Sequence, residues 1–188
     1  MENTLQTGDI IKVSEGTQFQ RGDIVVFSDP GGWLAAPTSP DQQYLVKRVI
    51  GLPGDRVVCC SNGHLTINGI LIDENSYLKE PSLPASAFQF DVTVPAGRFF
   101  VLGDNRNASA DSRWHLCETS PDGLGMSGFI PMPDIVGPVQ AVLSPLKNAR
   151  SLATPTSVFA EVPSGVDPPP TVARVVVGVD GPNGVCHT

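Results

Sequence analysis

The run YLVKRVIG, residues 44–51, places a lysine among apolar side chains. On a strand, side chains alternate between the two faces, so Lys47 would share one face with Leu45 and Val49. Burial disfavours the ammonium form of a lysine, and a neutral amine can take a proton from a hydroxyl nucleophile. The same pattern fits an edge strand whose lysine faces solvent and prevents aggregation. The residues alone leave both interpretations open.

A second polar stretch, GDNRNASADSR at residues 103–113, follows an apolar run. Its two aspartates are seven residues apart, its two arginines are also seven apart, and Ser109 lies between them. Arginine–carboxylate pairs would fix such a loop, and the Ser109 hydroxyl would then hold a neighbouring amine by a hydrogen bond. A solvated surface loop with balanced charges has the same composition. Neither interpretation is excluded by the loop sequence.

The composition of the 188-residue chain favours a mostly β fold with one core. Its 19 Gly and 18 Pro residues are spread between short apolar runs, which is typical of many strands and turns. The 12 basic and 19 acidic residues give a net charge of −7, so we expect no nucleic-acid partner. There is no run of about 18 apolar residues and no export signal, so no membrane-spanning segment is predicted within the chain.

Turn signals separate the predicted strands. Asn68-Gly69 is the strongest hairpin signal, because both of its positions favour a positive φ. The Gly- and Pro-rich stretch 28–43 is predicted to form a long loop before the strand that carries the lysine. The predicted strands are 10–13, 24–27, 44–51, 64–67, 70–72, 88–94, 98–102 and 134–143.

The last part of the chain has a different composition. The chain after about Lys147 is rich in Pro, Ser and Gly, and it contains three consecutive prolines. This composition predicts a disordered tail that does not join the core, with Val175–Val177 forming at most an isolated strand. We therefore predict a β core over residues 1–147 and a Pro-rich tail over residues 148–188.

The four cysteines do not have the spacing of a metal site. Cys59 and Cys60 are neighbours and would form only a strained bridge with each other. One of this pair would reach Cys117 in an oxidising compartment, or the cysteines are small buried thiols on a strand. Both alternatives stay open on the spacing alone.

Four segments occur in the order and approximate spacing found in type I signal peptidases. They are RGDIVVF (21–27), KRVIGLPGD (47–55), GDNRNASADSR (103–113) and GFIPMPDIVG (128–137). The chain therefore resembles this family over roughly residues 1–145, and its Cys59-Cys60 pair and first box resemble the actinobacterial branch. The resemblance implies a fold of coiled antiparallel β-sheets with long loops.

Members of this family are membrane-anchored serine endopeptidases with a Ser-Lys dyad, and the resemblance implies roles for the matching residues. Lys47 matches the general base, and Arg48 matches the arginine beside it. Ser109 matches the serine that forms a hydrogen bond with the lysine. The residues that match the surrounding polar support are Asp104, Asp111 and Arg113.

Tyr44, Leu45 and Val46 match the edge strand that pairs with the extended signal peptide. The resemblance thus implies recognition by β-augmentation, with shallow pockets for small side chains near the scissile bond. It implies that the substrates are signal peptides of exported preproteins and that no metal or other cofactor takes part. It also implies a whole protein held in the cell membrane, with its catalytic domain outside the cytoplasm.

The first residues, MENTL, match the family's first box, Ser-Met-x-Pro-Thr-Leu, from its methionine onward. Asn3 stands where the family has proline. The nucleophilic serine is therefore expected immediately before Met1, with one or more membrane anchors upstream of it. The 188-residue chain by itself is expected to be inactive, because a lysine base without its serine has nothing to activate.

Two other functions are compatible with parts of the pattern. An inactive homologue would bind extended peptides through the edge at Tyr44–Val46 without cleaving them. A self-cleaving repressor core also combines Ser and Lys on a related β fold, but no Ala-Gly cleavage segment or DNA-binding helices precede the core in this sequence. The signal peptidase interpretation is therefore the preferred one.

Overall fold

The computed structural model describes residues 1–34, 43–178, 181 and 186–187, and these residues form a mostly β structure, as expected. Their strands are β1 (Ile10–Val13), β2 (Ile24–Ser28), β3 (Tyr44–Gly51), β4 (Arg56–Ser61), β5 (His64–Ile67), β6 (Ile70–Leu71), β7 (Phe90–Thr93), β8 (Arg98–Leu102), β9 (Thr119–Ser120), β10 (Gly123–Leu124), β11 (Ile130–Pro131), β12 (Ile135–Ser144), β13 (Arg150–Ser151), β14 (Arg174–Val177) and β15 (Cys186–His187).

The helical segments of the described residues are short 3₁₀ turns. They are Arg106–Ala108, Ser112–His115, Met126–Gly128, Met132–Asp134, Leu146–Asn148 and Thr156–Phe159. Within the described ranges, none of the helices has the length and apolar character needed to cross a bilayer.

Two large antiparallel sheets carry the fold. The first has the strand order β1-β12-β2-β3-β8-β11, with β13 also paired to β12. The second has the order β15-β14-β7-β4-β5-β6, and β9 and β10 form a small separate hairpin. Strand β3 therefore lies in the interior of the first sheet, between β2 and β8.

The local turn chemistry produces the predicted hairpin. Asn68 and Gly69 have φ values of 51° and 86° and connect β5 to β6. These positive values are tolerated because glycine has no Cβ and asparagine is the residue type that next most readily adopts them. Of the long loop predicted over residues 28–43, the part 35–42 lies outside the described residues.

Alternation along β2 gives the first sheet two apolar faces. Val25 and Phe27 face a cluster with Trp33, Phe99 and Ile130. The intervening side chains, Ile24 and Val26, face a second cluster on the other side, where Met1, Leu5 and Leu152 also pack. The period of two along a strand thus buries every residue from 24 to 27, as expected for a strand covered on both faces.

The segment after Lys147 is not the detached tail that its composition predicts. Strand β14 pairs with β7 along its whole length and becomes an inner strand of the second sheet. Val175 and Phe159 are buried in the same apolar cluster as the strands of that sheet. The predicted disorder of this segment is therefore wrong, because burial of these apolar side chains offsets the conformational cost of ordering a Pro-rich segment.

Close backbone contacts also hold this segment on the core. The Val166 N–H donates to the carbonyl oxygen of Gly54 at 2.9 Å, and a Cβ placed on Gly54 would collide with the Val166 backbone. Arg21 donates to the carbonyl oxygens of Val162 and Pro163 while it pairs with Asp55. The segment 148–178 is thus an integrated part of the fold.

The four cysteines form two disulfide bonds. Cys117 is bonded to Cys186, with their Cα atoms 5.7 Å apart, and Cys59 is bonded to its neighbour Cys60. The spacing leaves two alternatives open, a bridge from the 59–60 pair to Cys117 or small buried thiols, and the structure shows neither. Spacing carries no information on which strand of the second sheet meets the loop after residue 115.

We predict that Phe159→Ala destabilises the protein strongly. Phe159 is only 6% exposed and packs in the main apolar cluster, so its removal leaves a cavity. The free energy of unfolding in urea should fall by about 3–5 kcal/mol. The control Leu146→Ala removes a side chain that is 89% exposed and should change it by less than about 0.5 kcal/mol. Equally small effects of both substitutions would show that the segment does not pack on the core.

Candidate active site

Lys47 lies in the middle of β3, directly opposite Val25 of β2. Leu45 and Val49, its neighbours on the same face, are buried with Val25 in one apolar cluster. The lysine side chain is itself only partly exposed. The aliphatic surroundings predicted from the alternation along the strand are confirmed.

The surroundings of Lys47 disfavour its ammonium form relative to that of a free lysine. Burial lowers the pKa of Lys47, and the Arg113 guanidinium lowers it further, whereas Asp111 and Asp104 oppose the shift without cancelling it. The Lys47 amine forms no hydrogen bond or ion pair with any residue in the described part of the chain. A directly paired carboxylate would stabilise the ammonium form. None of the described residues supplies one, so the Lys47 amine gives up its proton more readily than a paired lysine would.

A buried ion pair connects β3 to the polar loop. Arg48 donates from Nε and Nη2 to Asp104 Oδ1 and Oδ2 at 2.9 and 2.7 Å, and both side chains are at most 3% exposed. Arg48 also donates from Nη1 to the carbonyl oxygen of Gly22 at 2.6 Å and lies 4.2 Å above the Tyr77 ring. The bidentate geometry fixes the loop relative to Lys47.

A second buried pair, Asp111 with Arg113, shapes the far end of the loop. Arg113 donates from Nε and Nη2 to the two carboxylate oxygens, each at 2.8 Å. Burial alone would raise the pKa of the Asp111 carboxyl, but Arg113 and the Gly103 N–H hold it below its usual range. Arg113 further donates to the carbonyl oxygens of Ala85 and Arg106, so the loop is bound from several directions.

Ser109 lies next to the aliphatic part of Lys47. A Cβ on Gly103 would collide with the Ser109 side chain and would lie 3.8 Å from Lys47 Cδ. The Ser109 hydroxyl is buried beside Asp111, which it helps to keep ionised, yet it has no hydrogen-bond partner of normal geometry among the described residues. The hydrogen bond to Lys47 that the resemblance implies is thus not formed in this structure, although the two side chains are neighbours.

The N-terminal turn, residues 1–5, packs against the same site. The Thr4 and Leu5 N–H groups both donate to the Met1 carbonyl oxygen, and the Thr4 hydroxyl donates to Asp104. The amino group of Met1 is half-buried, and its pKa is lowered by burial and then by the positive charge of Lys47. The backbone nitrogen of Met1 therefore lies within the electrostatic reach of the Lys47 amine.

The first half of β3 has one unpaired edge. Residues from Tyr44 to Arg48 pair with β2, whereas β8 pairs with β3 only from Arg48 to Gly51. On the side away from β2, no strand among the described residues pairs with Tyr44, Leu45 or Val46. The described strands therefore leave the main-chain groups on this side of Tyr44, Leu45 and Val46 unpaired in the sheet.

One buried residue near the site, Glu74, is not assigned any role by the sequence analysis. Glu74, only 3% exposed, accepts hydrogen bonds from Arg106 at 2.5 and 3.0 Å and from the Tyr77 hydroxyl at 2.5 Å. No sequence signal identifies this pairing, because Glu74 stands in the polar stretch DENS, which is typical of an exposed turn. The described residues contain no group of three or more His, Cys, Asp or Glu side chains that could hold a metal ion.

Known proteins resemble this chain over most of the β core. Residues 1–144 match the family described as signal peptidase, peptidase S26. Signal peptidase I of Mycobacterium tuberculosis is 34% identical over 158 residues, which cover 67% of this chain and 52% of that protein. Probable signal peptidase I-2 of Synechocystis sp. is 39% identical over 142 residues, which cover 73% of this chain and 56% of that protein.

A crystal structure of a signal peptidase I from Enterococcus faecalis V583 has 29% sequence identity and a TM-score of 0.47, and the match covers 71% of this chain and 100% of that chain. Mycobacterial proteins among the relatives agree with the actinobacterial features of the sequence. The chain spans about half the length of the mycobacterial relatives it matches.

We predict that Lys47→Met stabilises the protein at neutral pH by about 0.5–2 kcal/mol, the common range for a single stabilising substitution. The folded state disfavours the ammonium form, so the unfolded chain binds this proton more tightly. Stability of the parent chain should therefore rise as the pH increases through the lowered pKa of Lys47 toward that of a free lysine. The gain of the variant should shrink over the same interval.

Urea denaturation at several pH values measures this effect, with Lys12→Met as the matched control. Lys12 is exposed on β1, so its replacement should change stability little at any pH. A Lys47→Met variant that is less stable than the parent chain at pH 7 would contradict the assignment of a desolvated amine.

Proposed function

Since the chain belongs to the signal peptidase, peptidase S26 family, we propose that it is the catalytic part of a serine endopeptidase that removes signal peptides from exported preproteins. One observation carries this proposal: a partly buried lysine with a lowered pKa, and with no paired carboxylate among the described residues, acts electrostatically on the amino group of Met1. A neutral amine in this position is suited to act as a general base for a hydroxyl nucleophile.

The nucleophile in this proposal is a serine joined to the Met1 nitrogen. Its hydroxyl oxygen attacks the carbonyl carbon of the scissile peptide bond while Lys47 accepts the hydroxyl proton. The tetrahedral intermediate collapses as the Lys47 ammonium returns that proton to the leaving amine, and an acyl-enzyme remains. Lys47 then takes a proton from water, whose oxygen attacks the ester carbon. The ester C–O bond breaks, Lys47 returns its proton to the serine oxygen, and the signal peptide leaves with a new carboxyl terminus.

The remaining polar residues orient this pair and do not transfer protons. Arg48 and Asp104 hold the loop and the N-terminal turn together, and Asp111 and Arg113 hold the loop around Ser109. We assign the buried Ser109 hydroxyl as the hydrogen-bond partner of the Lys47 amine in the substrate complex. Catalytic hydrogen bonds are often longer in the substrate-free enzyme and shorten when substrate binds.

We assign substrate binding to the free edge of β3 at Tyr44, Leu45 and Val46. A signal peptide added there as a strand would be held by main-chain hydrogen bonds and would place small side chains near the scissile bond. In the whole protein, we place this domain outside the cytoplasm and attached to the cell membrane through sequence upstream of Met1. No metal or other cofactor has a role in the proposed reaction.

The first test adds the nucleophile. We predict that the chain with Gly-Gly-Ser placed before Met1 cleaves a fluorogenic signal peptide, whereas the same chain with Gly-Gly-Ala does not. Lys47→Met in the serine form should lower kcat by about 100- to 10,000-fold, because the general base is lost. Circular dichroism checks that all three proteins fold.

The possible results separate the two candidate functions. Cleavage by the serine form alone supports the endopeptidase. If the folded serine form binds the peptide but leaves it intact, the peptide-binding homologue is the correct function. Full activity of the Lys47→Met variant would remove Lys47 from the mechanism.

A second test addresses the edge of β3. In an added strand, every second peptide N–H points toward the neighbouring strand, so N-methylation of the substrate should raise KM at alternate positions only. Each harmful methyl group removes one main-chain hydrogen bond and should raise KM by about 3- to 10-fold. A methyl group at the distal N-terminus of the peptide is the control. Equal effects at successive positions would contradict binding as a β-strand.

A further inference from the structure

Alternate residues of the segment after β12 contact the N-terminal part of the chain. The Asn148 amide donates to Asp9 Oδ1 at 2.8 Å, and Leu152 packs against the apolar cluster beneath the N-terminal turn. Between them, Arg150 donates from Nη2 to the carbonyl oxygen of Thr4. Arg150 and Leu152 lie two residues apart on the extended stretch that includes β13 and therefore share one face, while Asn148 ends the preceding 3₁₀ turn.

The position of Arg150 is fixed by its own strand. It lies on β13, where it pairs with Val142 of β12, and its Nη1 donates to the carbonyl oxygen of Asn148 at 2.8 Å. Strand β12 also pairs with β1 and β2 of the first sheet. The guanidinium therefore approaches Thr4 from a rigid part of the fold, although Arg150 itself is exposed.

The opposite side of the N-terminal turn is bound to the catalytic site. The Thr4 hydroxyl donates to Asp104, and the Asn3 amide donates to the carbonyl oxygens of Tyr77 and Leu78 at 3.0 and 3.2 Å. The turn thus has anchors on two sides, of which Arg150 is the one supplied by the C-terminal segment.

A cavity of about 310 Å³ lies beside the turn, between these two sets of anchors. Its lining includes Thr4, Arg48, Tyr77, Arg150 and Pro155. On the side of this cavity, Thr4 is held by hydrogen bonds from its hydroxyl and to its carbonyl oxygen and not by close packing. A tether is therefore needed to hold the turn in one place, because a displacement of about 1 Å from a productive geometry can cost about 100-fold in rate.

We propose that Arg150 is a positioning residue for the reaction: its hydrogen bond to the Thr4 carbonyl oxygen holds the N-terminal turn so that the residue joined to Met1 lies against Lys47. The inference rests on the proposed function for its catalytic consequence. Arg150 lies outside residues 1–144, the part of the chain that matches the family. It touches neither the substrate edge of β3 nor Lys47, and it acts through the turn.

The catalytic test uses the chain with Gly-Gly-Ser before Met1. Arg150→Ala should lower kcat by about 10- to 100-fold and leave KM within about twofold, because the substrate edge is unchanged. Arg150→Lys retains a charged donor and should recover part of the loss. Arg174→Ala removes an exposed arginine from β14 and should leave kcat unchanged.

A second readout needs no catalysis. In the 188-residue chain, the pH dependence of acylation of the Met1 amino group, followed by mass spectrometry, reports the environment of that group. The charged groups that act on it are Lys47, Asp104, Glu2 and Asp111, and none of them changes in the variant. Arg150→Ala should move the acylation midpoint upward, toward the value of a free amino group, and Arg174→Ala should not.

The two readouts distinguish failure of the inference from failure of the proposed function. An unchanged kcat together with an unchanged Met1 midpoint in Arg150→Ala overturns the positioning role. If the serine form never cleaves, the proposed function fails, and the midpoint alone decides whether Arg150 holds the turn. Equal losses of kcat in Arg150→Ala and Arg174→Ala would indicate a general loss of stability and would also overturn the inference.

Discussion

The ion pair between Arg48 and Asp104 is the interaction on which the site depends. Both side chains are almost fully buried, so neither charge is solvated by water and each requires the other. Removal of one partner from such a pair typically costs about 3–5 kcal/mol. Arg48 is the neighbour of Lys47 on β3, and Asp104 lies at the start of the polar loop. The pair therefore determines the direction in which that loop leaves β8 relative to Lys47. The Thr4 hydroxyl binds the same carboxylate, so three separate parts of the chain converge on it.

The buried carboxylates of the structure differ from Lys47 in one respect, since each of them has an arginine partner. The pairs are Asp55 with Arg21, Glu74 with Arg106, Asp104 with Arg48 and Asp111 with Arg113. Lys47 has no such partner among the described residues, and its pKa is lowered by burial. The paired charges are held in fixed geometry, whereas the unpaired amine is costly for stability and loses its proton more readily than a free lysine. A stability–activity conflict of this kind is common where a functional group is desolvated.

The C-terminal segment extends the fold beyond the part that matches the family. Strand β14 adds to the second sheet, and β13 pairs with β12 close to the N-terminal turn. Its prolines restrict the backbone but do not prevent burial of apolar side chains such as Phe159 and Val175. Composition averaged over the segment therefore pointed to disorder, whereas a small number of well-placed apolar residues is enough to bind it to the core.

The sequence by itself determined the local features of this protein. Alternation placed Lys47 on an apolar face, Asn68-Gly69 produced the hairpin, and the order of the four segments identified the family. Only the tertiary structure decided which distant groups meet: Glu74 with Arg106, Cys117 with Cys186, and Arg150 with Thr4. Strand periodicity and turn chemistry depend on neighbours within a few residues, and they can therefore be predicted from a single sequence. Contacts between residues tens of positions apart depend on how the sheets pack, which no local pattern encodes.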